Sequence, residues 1–175
     1  MKLDWKRIGL VAGILIITIS LDFWTKGWAT RHLMGRPSES YWGDFFRLIY
    51  VRNDGAFLSL GSDFPTFLQF ITLKLFPVVL LLALLLYTLF NVKLDRWHVI
   101  AFSIILGGGI ANIYDRLMFG SVVDFMNMGF PGLRTGIFNV ADIFIMTGLF
   151  MMLPQMIRPS KATSHVETTD SGQAD

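Results

Sequence analysis

Apolar residues fall into four stretches near Ile8–Trp28, Thr66–Phe90, Trp97–Leu117 and Gly136–Ile157, each of a length to read as a membrane-spanning helix. Lys74 and Pro77 interrupt the second, so Lys74 either snorkels or faces protein. The polar residues within the stretches are few and not scattered. Asp22 comes late in the first, Asn112, Asp115 and Arg116 late in the third, Asn139 and Asp142 early in the fourth. Consecutive spans alternate direction, so these positions meet at one membrane face. At 1.5 Å per residue, Asn112 lies roughly 22 Å from Trp97 and Asp142 roughly 9 Å in from Gly136, which coincide in depth within a core of about 30 Å. Ionisable groups there are costly and mark function by default.

Between the first two spans, residues 29–65 are too many for a plain connector. Phe45–Arg52 is β-branched and aromatic, then Asn53-Asp54-Gly55 signals a hairpin turn into Ala56–Gly61. The pattern predicts a small β-element on the outer membrane surface, its aromatics at the interface with Tyr41 and Trp42. Residues 118–135 read as a Gly-, Met- and Phe-rich loop, and residues 158–175 as a polar, disordered tail. The expected fold is a membrane all-α core of four transmembrane helices in one domain, residues 1–157, with the extracytoplasmic β-element between helices 1 and 2.

Composition sharpens this. A chain of 175 residues that is 53% hydrophobic and 16% charged is too apolar for an ordinary soluble domain. A net charge of +2 without a basic run argues against nucleic acid as a partner. The absence of cysteine excludes disulfides, thiolate metal sites and cysteine nucleophiles. Lys2, Lys6 and Arg7 before an uncharged run resemble the start of a signal peptide, but Leu21-Asp22-Phe23-Trp24 offers no small-x-small cleavage site, so we read a retained anchor. Four spans put both termini on one side. Seven Lys and Arg fall on each side, and only the basic N-terminus favours a cytoplasmic one.

Asp22 and Lys26 are spaced i,i+4, acid first, the better order for an ion pair. Asn112, Asp115 and Arg116 share a face after Gly107-Gly108-Gly109, where small residues allow close helix approach. Asp124 stands between apolar residues just past the third span, and Asn139 precedes Asp142 by three. Two partly desolvated carboxylates can share one proton, one acting as base towards water while the other polarises a carbonyl. Spacing alone leaves hydrolysis, ion or proton conduction and structural pairing open. His32, His98 and His165 lack metal-ligand spacing, Ser59 and Ser121 sit on no nucleophile elbow, and the glycine run lacks a Walker lysine.

Together the blocks Asp22-Phe23-Trp24-Thr25-Lys26, Asn53-Asp54-Gly55-Ala56-Phe57, Gly107–Arg116 continuing to Val122-Val123-Asp124-Phe125, and Phe138-Asn139-Val140-Ala141-Asp142 resemble the signal peptidase II family of bacterial intramembrane aspartyl peptidases. Phe23, Gly109 and Ala111 depart from it, where Gln, Ala and Gly are common, and leave every expected polar group in place. The resemblance implies Asp124 and Asp142 as the catalytic dyad. Asn53, Gly55, Asn112, Arg116 and Asn139 would line the site, with Asp22, Lys26 and Asp115 in support. It also implies a monomer of the bacterial inner membrane, both termini cytoplasmic, with the site near the periplasmic face and no metal or organic cofactor. Its substrates would be diacylglyceryl-modified prolipoproteins, cleaved just before the lipidated cysteine. The rival readings are a small channel or transporter, which needs a polar path through the charge-free far halves of the spans, and a structural membrane subunit.

Overall fold

A computed structural model of the chain describes residues 4–55 and 64–156. Among these residues, three helical runs are long and apolar enough to cross a membrane: Trp5–Leu33, Thr66–Phe90 and Arg96–Met118; the apolar helix over Val140–Leu153 is shorter. Helix α1, Trp5–Leu33, starts at an Asp4 cap and ends where Gly35 turns at φ 74°. It outruns the expected Ile8–Trp28 because helical hydrogen bonding does not stop where the apolar run does. The second run comprises α2 (Thr66–Gln69), a π-helical segment (Phe70–Leu75) and α3 (Phe76–Phe90). Pro77 stands at the start of α3, and the wider π turns before it accommodate the missing donor.

Helix α4, Arg96–Met118, is the hub, burying Val99, Ala101, Leu106, Gly107, Gly108, Ala111 and Ile113 among others. Its glycines are contact surfaces. A Cβ on Gly107 would fall 1.8 Å from Thr18 Oγ1 of α1, and one on Gly108 2.4 Å from the Ala141 carbonyl of α5 (Val140–Met156). Hydrophobic force between helices is weak in lipid, so such close approach supplies the dispersion contact that holds them. The outer flank is apolar and open, with Val79 57% and Leu82 54% exposed.

Four antiparallel strands form one sheet in the order β1 (Glu39–Tyr41), β2 (Phe46–Asn53), β3 (Val122–Phe130), β4 (Leu133–Arg134). Strand β2 begins and ends within a residue of the predicted stretch, but the described partners are β1 and β3; the proposed second arm, Ala56–Gly61, lies outside the described residues. The 118–135 connection is not a plain loop but carries β3 and β4, because Val122, Val123 and Phe125 are strand-forming and β2 offers them an edge. The fourth helix starts at Val140 rather than Gly136, since Phe138 is still bridged to Met126. The sheet rests on the end of α1 through Phe125, Ala29 and Leu33.

Candidate active site

Two structural meetings assemble the site: the late turns of α1 and α4 against the start of α5, and the sheet laid across them. Lys26 is its fixed point. Buried to 5% exposure, its Nζ lies 2.6 Å from Asp22 Oδ2 and 2.7 Å from Asp115 Oδ2, and donates to Asn112 Oδ1 at 3.0 Å. The sequence pairs Asp22 with Lys26; the structure adds Asp115, whose cation is Lys26 and not its neighbour Arg116. An ion triad this dry is held by geometry, since desolvation offsets most of its Coulomb energy.

The start of α5 is fixed by side chains. Asn139 Oδ1 accepts from Asp142 N at 3.0 Å while Asp142 Oδ2 accepts from Asn139 N at 3.1 Å, a reciprocal cap. Asp22 Oδ1 accepts from Ala141 N at 2.8 Å, so an aspartate of the first helix satisfies a terminal donor of the last. The cap was within reach of sequence reasoning, because Asn-x-x-Asp ahead of an apolar run is a helix-start signature. No signal along the chain links Asp22 to Ala141.

Asp124, on β3 and 3% exposed, is brought to the same place by sheet register. Its Oδ2 accepts from Asn53 Nδ2 at 2.8 Å and its Oδ1 from Asn139 Nδ2 at 2.6 Å. Asp142 Oδ1 accepts from Asn112 Nδ2 at 2.8 Å. Asn139 therefore touches both carboxylates, and Asn112 joins Asp142 to Lys26. Burial pushes the Asp124 pKa up to about 6; the Asn53 bond opposes this, the charge of Asp142 adds to it, and Asn139 and Lys26 again oppose it.

Arg116 Nη2 donates to the Gly55 carbonyl at 2.9 Å, and Gly55 N donates to Asn53 Oδ1 at 3.0 Å, which ties the Asn53 turn to α4. Arg116 Nε is buried without a hydrogen-bond partner among the described residues. Asn112, Arg116 and Asp142 line one wall of a cavity of about 460 Å³ whose other walls are apolar, from Leu73, Pro77 and Leu80 to Ile145 and Met146. All ten residues singled out by sequence thus lie in one connected network. Sequence reasoning missed Arg52, whose Nε donates to Ser121 Oγ at 2.8 Å and whose Nη2 reaches the Phe119 carbonyl, latching the start of β3. Among the described residues no cluster of His, Asp and Glu has the arrangement of a metal site.

The fold is shared with solved bacterial membrane enzymes. One structure determined by the in meso method at 2.3 Å resolution matches with a TM-score of 0.73 and 22% identity over 99% of this chain and 98% of that one. Another at 1.9 Å matches with a TM-score of 0.74 and 23% identity over 91% and 98%. The fold is that of a membrane enzyme, and the family matched makes it an aspartic peptidase. Residues 14–158 match the family described as Signal peptidase (SPase) II, and the chain belongs to that family. The lipoprotein signal peptidase of Gloeobacter violaceus is 34% identical over 151 residues, 85% of this chain and 82% of that protein. Those of Buchnera aphidicola and Borrelia hermsii are 30% and 34% identical, over 85% and 87% of this chain and 94% and 92% of theirs.

Proposed function

We propose that this enzyme removes signal peptides from diacylglyceryl-modified prolipoproteins by hydrolysing the bond just before the lipidated cysteine, with Asp124 and Asp142 as its catalytic pair. The observation that carries the reading is the shared amide frame: Asn139 holds both carboxylates and Asn112 holds the second to Lys26. Asp142, on the cavity wall, is the base that takes a proton from water. Asp124 holds the shared proton and gives it to the scissile carbonyl as the tetrahedral centre forms. Substrate displaces water from the cavity and favours the protonated form of Asp124 further. Arg116 Nε, buried and unpartnered among the described residues, is a donor available to a substrate carbonyl.

All four apolar helices span the membrane in this reading, with α5 completed by the residues before it, and both termini are cytoplasmic. The site then lies near the periplasmic face of the inner membrane, where a lipidated cysteine is held by its acyl chains and water arrives from outside. The sheet, with exposed Trp42 and Phe130, lies at that interface. The charge-free far halves of the helices give a channel no polar path.

A gel-shift assay on a diacylglyceryl-modified prolipoprotein and its unmodified precursor tests this, with Asp124→Asn and Asp142→Asn in parallel. Cleavage of the modified substrate by the wild type alone is expected. Near-normal turnover in either folded variant, or equal cleavage of both substrates, would overturn the assignment.

A further inference from the structure

A second cavity, of about 390 Å³, lies at the opposite end of the bundle between the starts of α1 and α4, lined by Asp4, Lys6, Arg7, Leu10, Arg96 and Val99. Nineteen residues separate Arg7 from Lys26, so it sits roughly 28 Å from the polar network, at the other membrane surface. Its charge is lopsided. Asp4, the single acid, spends its Oδ1 capping α1, accepting from Lys6 N at 3.0 Å and Arg7 N at 3.3 Å. Asp95, which caps α4, is engaged by His98 through its backbone N–H and Nδ1. Lys6 and Arg96 have no carboxylate partner among the described residues.

Arg7 is held in place. Its Nη1 donates to the carbonyls of Asn91 at 2.6 Å and Thr88 at 3.4 Å, and its Nη2 to that of Leu94 at 3.0 Å. These acceptors are neutral, so the guanidinium is oriented and, among the described residues, its charge is uncompensated. The positive ends of two helix dipoles add to it. Leu10 and Val99 make the floor apolar, and the flanking Trp5, 76% exposed, and Trp97, 46% exposed, are residues of the headgroup layer. We propose that this cavity binds the phosphodiester headgroup of an anionic phospholipid, with Lys6 and Arg96 as its mobile cations and Arg7 as its fixed one. The apolar floor and tryptophan flanks fit a lipid, whose glycerol and first methylenes continue below the phosphate; a free phosphate ion has no use for them.

The test is retention of phosphatidylglycerol by the purified full-length protein, read by mass spectrometry of protein–lipid complexes and by the thermal midpoint in mixed micelles. Phosphatidylcholine and inorganic phosphate are the comparison arms. Lys6→Gln/Arg96→Gln is expected to retain phosphatidylglycerol roughly 30-fold less well than wild type, at about one kilocalorie per mole for each cation near an anionic surface. Lys93→Gln, which removes a cation outside the cavity, is expected to retain it within about twofold of wild type, because salt screens a charge that does not touch the headgroup. Unaltered peptidase turnover in the double variant is expected, and shows that it folds. Equal retention of phosphatidylcholine, an equal thermal shift from inorganic phosphate alone, or equal losses in the double variant and Lys93→Gln would each overturn the proposal.

Discussion

Asn53→Leu separates the electrostatic account of the site from a purely steric one. Asn53 Nδ2 donates to Asp124 Oδ2 at 2.8 Å, and this bond opposes the upward push that burial gives the Asp124 pKa, held at about 6. A hydrogen bond to a charged group is worth about 1.5–3 kcal/mol, and one pKa unit corresponds to about 1.36 kcal/mol. Removing the donor therefore raises the Asp124 pKa by about one to two units. If the protonated form of Asp124 is the active one, the alkaline limb of kcat/KM moves from about pH 6 to about pH 7–8. Turnover falls overall, because Asn53 also anchors Gly55, but the ratio of variant to wild-type kcat/KM rises about 10- to 50-fold between pH 5 and pH 8. The assay is initial-rate cleavage of a lipidated prolipoprotein in one fixed lipid mixture across that range. A limb that stays in place or moves to lower pH would refute the assignment of the proton to Asp124.

Three further outcomes are expected. In Asp124→Asn the pH dependence of stability changes sign-specifically: the wild-type carboxyl has a folded pKa near 6, above the ordinary carboxylate value, so the native state loses stability as pH rises from about 4 to 6. The variant lacks that loss and should gain about 3 kcal/mol on wild type between pH 3.5 and pH 7 in thermal or denaturant unfolding; parallel curves would show that Asp124 is not abnormally basic. Lys26→Met leaves Asp22 and Asp115 buried and unpaired, and should cost about 3–5 kcal/mol by urea unfolding in detergent, with less than about 1 kcal/mol indicating that water reaches the triad. Gly108→Ala sets a methyl 2.4 Å from the Ala141 carbonyl, a backbone atom with no rotamer to yield, so α5 must shift with Asn139 and Asp142; cleavage should fall at least about tenfold with about 1–3 kcal/mol of stability lost, and wild-type turnover would place the site's tolerance well above an ångström.

The polar positions were legible in the sequence because the membrane makes them conspicuous: against long apolar runs, each carboxylate or amide stands out, and i,i+3 and i,i+4 spacing assigns it a face. The start of the last helix was approximate because part of its cap comes from elsewhere, Asp22 accepting from Ala141 N. Strand β3 was hidden because Asp124 and Asn127 break the apolar alternation that marks a half-buried strand; Asp124 is buried against Asn53 from far along the chain, and Asn127 against Arg134 and Thr135 just past the β3–β4 turn. The pairing of β2 with β3 spans some seventy residues of sequence, and no local propensity encodes its register. Lys26 illustrates the same limit. Its i,i+4 partner was evident, whereas Asp115 and Asn112 reach it only because Gly107 lets α1 and α4 close to contact.

That closure explains how a single ammonium group orders two carboxylates it does not touch. The Lys26 ammonium pairs with Asp22 and Asp115 and donates to Asn112 Oδ1. With its oxygen so claimed, and claimed again by Asn139 Nδ2 at 3.1 Å, the Asn112 amide must present its nitrogen to Asp142. Asn139, its nitrogen between Asn112 and Asp124, must turn its oxygen to the Asp142 backbone N–H. Orientation passes from the cation through neutral amides, so each carboxylate gains a donor without gaining a counter-ion. Asp22, Asp115, Asp124 and Asp142 outnumber Lys26 and Arg116, and full ionisation would leave two negative charges in a poorly solvated space. One proton retained on Asp124 halves that excess. The protonation state proposed for hydrolysis is therefore the state the network itself favours, and it is set by the helix contacts around Lys26.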